Sequence, residues 1–170
     1  MNNHPIRILG IDTSLRSTGV GVVEAIGAKL SVVECGTLKI PAKKHISECL
    51  RLLYNGITEI IERTTPNAVA IEGVFFSKNA KTALILGEAR GTVISVCACH
   101  NLPIYEYAPR KIKQAIAGFG NAGKQQIQKM VMSLLTLEKE PQEDAADALA
   151  IAICHLHNRT GYAALAPKEI

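Results

Sequence analysis

Apolar and polar residues alternate through the first forty positions, and that period of two predicts three strands: Ile6 to Asp12, Thr18 to Ala25 and Lys29 to Leu38. Short turns rich in Ser, Gly and Thr separate them, which reads as an antiparallel meander. The period then changes. Ile46, Leu50, Leu53, Ile57, Ile60 and Ile61 share one stripe of a helix with period 3.6, and Pro66 marks its end. Ala68 to Glu72 is a short apolar strand, Lys81 to Asn101 a long helical stretch broken only by Gly87 and Gly91, and Pro103 to Tyr107 a fifth strand. Pro109 suits the first turn of a short helix through Lys113, after which Gly118, Gly120 and Gly123 interrupt the chain. Two helices follow, Lys124 to Leu135 and Asp144 to Asn158, with Pro141 between them; residues 159–170 read as an irregular tail. A meander followed by helices alternating with strands predicts an α/β architecture, a mixed five-stranded sheet covered by helices. At 170 residues the chain fits a single domain, 1–170.

The pattern also places acids. Asp12 closes a strand in which it shares a face with Gly10, which leaves room beside it. Glu72 closes another strand and shares a face with Ala68 and Ala70. An ionised carboxylate at the end of an apolar strand is costly to bury unless a cation or a raised pKa compensates it. Asp144 and Asp147 lie three apart, so one helix presents both from one face, and Ala145, Ala146 and Ala148 let that helix pack closely. Four convergent carboxylates suit Mg²⁺, a hard cation that takes oxygen ligands and keeps water. Two such ions, roughly 3.5 to 4 Å apart, serve in-line displacement at phosphorus. Asp144, nearest the loop, is expected to bind through water or act as a base. Separately, each acid has an ordinary reading: Asp144 and Asp147 complement a helix dipole, Asp12 sits in a turn, and Glu72 pairs with a lysine.

Composition narrows the classes. With 48% hydrophobic and 20% charged residues the chain is neither disordered nor fibrous, and with no Trp and few Phe or Tyr its core is aliphatic. There are 19 basic and 15 acidic residues; setting the four candidate site acids aside leaves 11, so the remaining surface stands at +8. That excess favours a polyanionic partner such as nucleic acid. Five cysteines, an odd number without a Cys-x-x-Cys pair, argue against disulfides and zinc. Cys97, Cys99 and His100 end an apolar run and read as core. The first residues lack a charged region followed by an apolar stretch, and no apolar run approaches the roughly 18 to 20 residues of a membrane span, so a cytoplasmic location is expected.

Ile8-Leu9-Gly10-Ile11-Asp12 with Thr18-Gly19, Ala70-Ile71-Glu72 and Asp144-Ala145-Ala146-Asp147-Ala148 occur in an order that resembles the RuvC Holliday-junction resolvases. The likeness extends to Phe75-Phe76-Ser77-Lys78-Asn79-Ala80, Leu86-Gly87-Glu88-Ala89-Arg90-Gly91 and Tyr105-Glu106-Tyr107-Ala108-Pro109, and so covers nearly the whole chain. The resemblance implies an RNase H-like fold, a homodimer, and Mg²⁺-dependent cleavage of two symmetric strands of a four-way DNA junction, with Mn²⁺ as a substitute. It further implies a branch-migration helicase partner of the RuvAB type, and an interface built largely from Ala80 to Cys99. Leu84, Ile85 and Val93 in that stretch read equally well as intramolecular core. By the same resemblance Lys113 and Lys124 stand near the scissile strand, where each can hold a phosphate or steady developing charge, the alternative being solvated surface lysines. Phe75, with Phe76, matches an aromatic that stacks on an unpaired base or packs in the core. Lys78, Lys81, Arg110 and Lys111 complete the expected DNA contacts. Thr13-Ser14 departs from the usual Pro-Gly, and Gly73 stands where Gln is common; neither removes a ligand, and both bear on rate and sequence preference.

Three rivals remain at this point. Asp12 through Thr18-Gly19 also resembles the phosphate hairpin of actin-like and sugar-kinase ATPases, which need two such domains where this chain has length for one. Gly118 to Lys124 has P-loop spacing, but Gln125 replaces the metal-binding Ser or Thr and a helix rather than a strand is expected before it. The last is an RNase H-like nuclease for another substrate, such as RNA–DNA hybrid, or a non-catalytic junction binder.

Overall fold

In the computed structural model residues 4–73, 79–159 and 168–170 are described. Strands β1 (Ile6–Asp12), β2 (Ser17–Ile26) and β3 (Lys29–Lys39) form the meander. Helix α1 (Ile46–Thr64) leads to β4 (Ala68–Glu72), and α2 (Ala80–Cys99) leads to β5 (Ile104–Tyr107). Helices α3 (Pro109–Ala117), α4 (Lys124–Leu135) and α5 (Glu143–Asn158) follow, then the two-residue β6 (Lys168–Glu169). The sheet order is β3, β2, β1, β4, β5, β6. β1 pairs antiparallel with β2 but parallel with β4, and β4 pairs parallel with β5, as strands joined through helices must.

Alternation along the strands sorts side chains into two cores. Ile8, Val23, Ala68, Ala70 and Tyr107 face α3, α4 and α5, while Leu9, Ile11, Val22, Val69 and Ile71 face α1 and α2. Leu53, Ile57, Ile60 and Ile61 of the predicted α1 stripe are buried. Asp12 and Glu72, in phase with Ile8 and Ala68, therefore lie on the α5 side.

Several expectations need correction. Among the described residues the sheet has six strands rather than five, because Lys168 and Glu169 pair with Glu106 and Tyr105 at the β5 edge. Two exposed charged residues held by backbone pairing carry no hydropathy signal, so the tail read as wholly irregular. α3 continues beyond Lys113 to Ala117, since Ile112 and Ile116, one helical turn apart, both reach the core, and Gly118 ends the helix in the left-handed region at φ 84°. This helix immediately before Gly118 removes the P-loop reading, which needs a strand there. α2 is long and apolar enough by length and composition to cross a membrane, although it is not an uninterrupted apolar run. Glu88 and Arg90 divide it, so it holds no continuous apolar stretch, and it buries Ala89, Val93, Val96 and Cys97 in the core. Cys99 is exposed rather than packed inside; Cys49, Cys97 and Cys154 are buried thiols.

Candidate active site

The parallel pairing of β1 with β4 sets Ile11 opposite Ile71 and brings Asp12 and Glu72 to the same end and face of the sheet. α5 crosses that face at unusually close range. A Cβ on Gly10 would stand 2.0 Å from the Ala148 carbonyl oxygen, and one on Gly19 would stand 1.9 Å from that of Asp144; at Gly21 it would meet the Leu149 side chain at 2.8 Å. Gly10 and Gly21 are register partners, and Gly19 is opposite Asp12. The room expected beside Asp12 is thus taken by the helix backbone. This glycine bed sets the first turn of α5, with Asp144 and Asp147, against the two strand-end acids.

Asp12, Glu72 and Asp147 line a cleft of about 190 Å³ together with Lys113, Lys124 and the apolar side chains of Pro109, Ile112, Ile127 and Ile151. Asp144 lies beside the cleft rather than in its lining, and its Oδ2 accepts a hydrogen bond from Ser17 Oγ. Lys124 Nζ is 3.4 Å from Asp147 Oδ2 and also donates to Glu143 Oε1. The turn after Asp12, at Thr13-Ser14, is closed by Thr18: its buried hydroxyl accepts from Ser14 N at 3.2 Å and donates to the Ser14 carbonyl.

These acids do not ionise as isolated groups. Burial pushes Asp12 up to about 6, with the charges of Asp147 and Asp144 adding and Lys124 opposing. Glu72 is pushed up to about 7 by burial and then by Asp12 and Asp147, against Lys113. Burial also raises Asp147, while the Lys124 charge and hydrogen bond hold it down. Among the described residues no three Asp, Glu, His or Cys side chains are gathered closely enough to hold a metal ion as they stand. The donor set nevertheless fits a hard divalent cation: all its candidate donor atoms are carboxylate oxygens, and the cost of burying their charges side by side, which raises Asp12, Glu72 and Asp147, is what such a cation relieves.

The fold brings Asp12, Glu72, Asp144, Asp147, Lys113 and Lys124 together. Arg110 and Lys111 lie on α3 outside the cleft lining, Arg110 with its stem against Gly120 and Lys111 Nζ 5.7 Å from the centre of the Tyr107 ring. Lys81 is exposed in the first turn of α2. Phe75, Phe76 and Lys78 lie outside the described residues. Sequence reasoning gave no role to Ser17, Glu143 or Arg90. The first two are single polar residues at the starts of elements, where no periodicity marks them.

A sheet of this order with a carboxylate cluster where β1, β4 and α5 meet defines a nuclease of the RNase H-like fold. The model of the family "Crossover junction endodeoxyribonuclease RuvC" matches residues 8–155, and the chain belongs to that family of metal-dependent endonucleases. It is 47% identical to the crossover junction endodeoxyribonuclease RuvC of Nitrosomonas eutropha, with 96% of this chain and 92% of that protein covered. It is 49% identical to the one from Halorhodospira halophila, over 91% and 92% of the two chains. A T. thermophilus RuvC in complex with Holliday junction substrate superposes with a TM-score of 0.89 at 30% identity, covering 97% of this chain and 99% of that one.

Proposed function

We propose that this chain resolves four-way DNA junctions by paired, symmetric, Mg²⁺-dependent cuts, acting as a single nuclease domain within a homodimer. The observation that carries the reading is the meeting of three carboxylates and two lysines in one cleft at the ends of β1 and β4, with a fourth carboxylate, Asp144, beside it. Asp12, Glu72 and Asp147 would hold the metal, with Asp144 beside them, steadied by Ser17, as a water-mediated ligand or base. When bound there, Mg²⁺ would supply activation of water and charge stabilisation at phosphorus. Lys113 and Lys124 serve the DNA side: each can bind a phosphate oxygen and meet charge developing there. Lys124 reaches this task by exchanging its exposed partner Glu143 for phosphate.

Two-fold symmetry suits a junction that needs two related cuts. Leu84, 64% exposed on α2, supports an interface along that helix, whereas Val93 belongs to the core. Phe75 and Phe76 are the proposed base-stacking aromatics, and Lys78, Lys81, Arg110 and Lys111 the proposed backbone contacts. Work on recombining chromosomal DNA implies a cytoplasmic setting and a helicase partner of the RuvAB type; the T. thermophilus relative with its junction substrate supports the substrate class. The test is incubation with Mg²⁺ and labelled four-way junction, duplex and RNA–DNA hybrid. Paired symmetric nicks confined to the junction are expected, and degradation of the hybrid alone would overturn the reading. Asp12→Asn should abolish cutting while junction binding survives.

A further inference from the structure

The peptide that follows Glu72 is held from both sides. Its carbonyl, that of Glu72, accepts a hydrogen bond from Arg90 Nη1 at 2.7 Å, and its N–H, that of Gly73, donates to the Tyr107 carbonyl at 2.8 Å. Arg90 is itself fixed. It comes from the middle of α2, its side chain is 14% exposed, and its Nη2 donates to Glu106 Oε2 on β5. The planar guanidinium therefore spans two elements in one plane, one arm on the backbone of β4 and the other on a carboxylate of β5. A side chain at position 73 would stand against that carboxylate, since a Cβ there lies 3.4 Å from Glu106 Cγ. Glycine instead leaves the exit of β4 with the widest conformational freedom, directly after a cleft carboxylate.

We propose that Arg90, braced by Glu106, is a positioning residue that fixes the Glu72–Gly73 peptide and thereby aims the Glu72 carboxylate at the metal position. Arg90 touches neither substrate nor metal; it acts through Glu72, as groups behind a metal ligand orient that ligand. The inference rests on the reading of Glu72 as a metal-site acid. It adds that α2, the helix offered above for the dimer interface, is tied mechanically to that acid. A lysine would match Arg90 poorly here, because its ammonium is a point charge on a flexible stem and lacks the planar fork whose two nitrogens reach the carbonyl and the carboxylate separately.

The test compares the unaltered protein with Arg90→Lys, Arg90→Gln and Glu106→Gln, reading Mn²⁺ affinity by electron paramagnetic resonance on the protein without DNA. Thermal melting and junction binding in Ca²⁺ are measured alongside. Arg90→Lys and Arg90→Gln are expected to weaken Mn²⁺ binding by roughly 10- to 100-fold, with Glu106→Gln between them and the unaltered protein. Junction binding should stay unchanged. If Arg90→Gln does not fold, Arg90→Lys and Glu106→Gln carry the test. Lower melting temperatures with unchanged Mn²⁺ affinity would make Arg90 merely structural and overturn the proposal. Should the unaltered protein bind Mn²⁺ but cut no junction, the proposed function falls while the comparison of affinities still decides the role of Arg90.

Discussion

Replacing Gly19 by alanine should harm both the fold and the site, because the added methyl enters the backbone of α5. The new Cβ would stand 1.9 Å from the Asp144 carbonyl oxygen and 2.4 Å from its carbon, far inside the 3.4 Å of ordinary contact. Neither atom is the free end of a flexible side chain, so relief requires the start of α5 to lift by about 1.5 Å, the difference between 3.4 and 1.9 Å. Overpacking of this kind costs about 1–3 kcal/mol. For a chain of this size that corresponds to a fall in melting temperature of roughly 2–12 °C. The lift also carries Asp144 and Asp147 away from Asp12, and a misplacement of about 1 Å at reacting groups can cost about 10²-fold in rate. Gly36 is the internal control. It lies on the neighbouring strand β3, opposite Val20, and a Cβ there meets nothing within 4 Å. Gly36→Ala should change stability by no more than about 0.5 kcal/mol. Calorimetry and a junction-cleavage time course on both variants decide the matter. A Gly19→Ala protein that melts and cuts like Gly36→Ala would refute the seating of α5 on the β1–β2 glycines.

The remaining predictions concern charge and a buried polar pair. Asp12 and Glu72 have folded-state pKa values of about 6 and 7 against ordinary values of 3.8 and 4.5, so between these limits the metal-free folded chain binds more protons than the unfolded one. Their contribution to stability is therefore fully present below the ordinary values and lost as pH rises through about 6 and then 7. Melting of the metal-free protein from pH 5 to 8 should show that decline, and Asp12→Asn should flatten it. Because metal competes with protons for the same oxygens, the Mg²⁺ concentration for half-maximal cleavage should fall as pH rises over this window; a flat dependence would contradict the assignment. Lys113→Ala and Lys124→Ala should each slow cleavage by about 10²-fold while leaving junction affinity within a few-fold, as expected for groups that meet developing charge. Tyr107→Phe removes the 2.9 Å bond to Nδ1 of the buried His155 and should cost about 1–3 kcal/mol, read as a lower melting temperature with unchanged cleavage.

Much of this candidate site was readable along the chain because its acids sit where periodic patterns stop. Asp12 and Glu72 end apolar strands, and Asp144 and Asp147 open an alanine-rich helix, so alternation and helical spacing locate all four. What the pattern could not give was distance. Gly19 and Gly21 read as residues of an ordinary strand, and only the packed helix reveals that they admit α5 to backbone contact. Arg90 was equally hidden: its spacing fits a solvated helix position, and its two partners lie on different strands, 16 and 18 residues away. The edge strand β6 left no trace because two exposed charged residues are held by backbone pairing alone.

The same close packing explains why the cleft needs a cation. Helix α5 approaches near enough to bury carboxylates beside one another only because glycines line its seat, and that burial, with the charges of neighbouring acids, pushes Asp12 up to about 6 and Glu72 to about 7. Lys113 and Lys124 offset this shift without cancelling it: Lys113 opposes it at Glu72 and Lys124 at both Asp12 and Asp147, yet all three acids stay raised. A third lysine in the cleft would compete with a metal cation for the same carboxylate oxygens. The arrangement instead keeps an uncompensated negative charge in a half-buried, oxygen-lined space, with the basic excess of the chain held outside it. Such a division lets the surface attract a polyanion while the cleft keeps its affinity for the divalent ion that cutting requires.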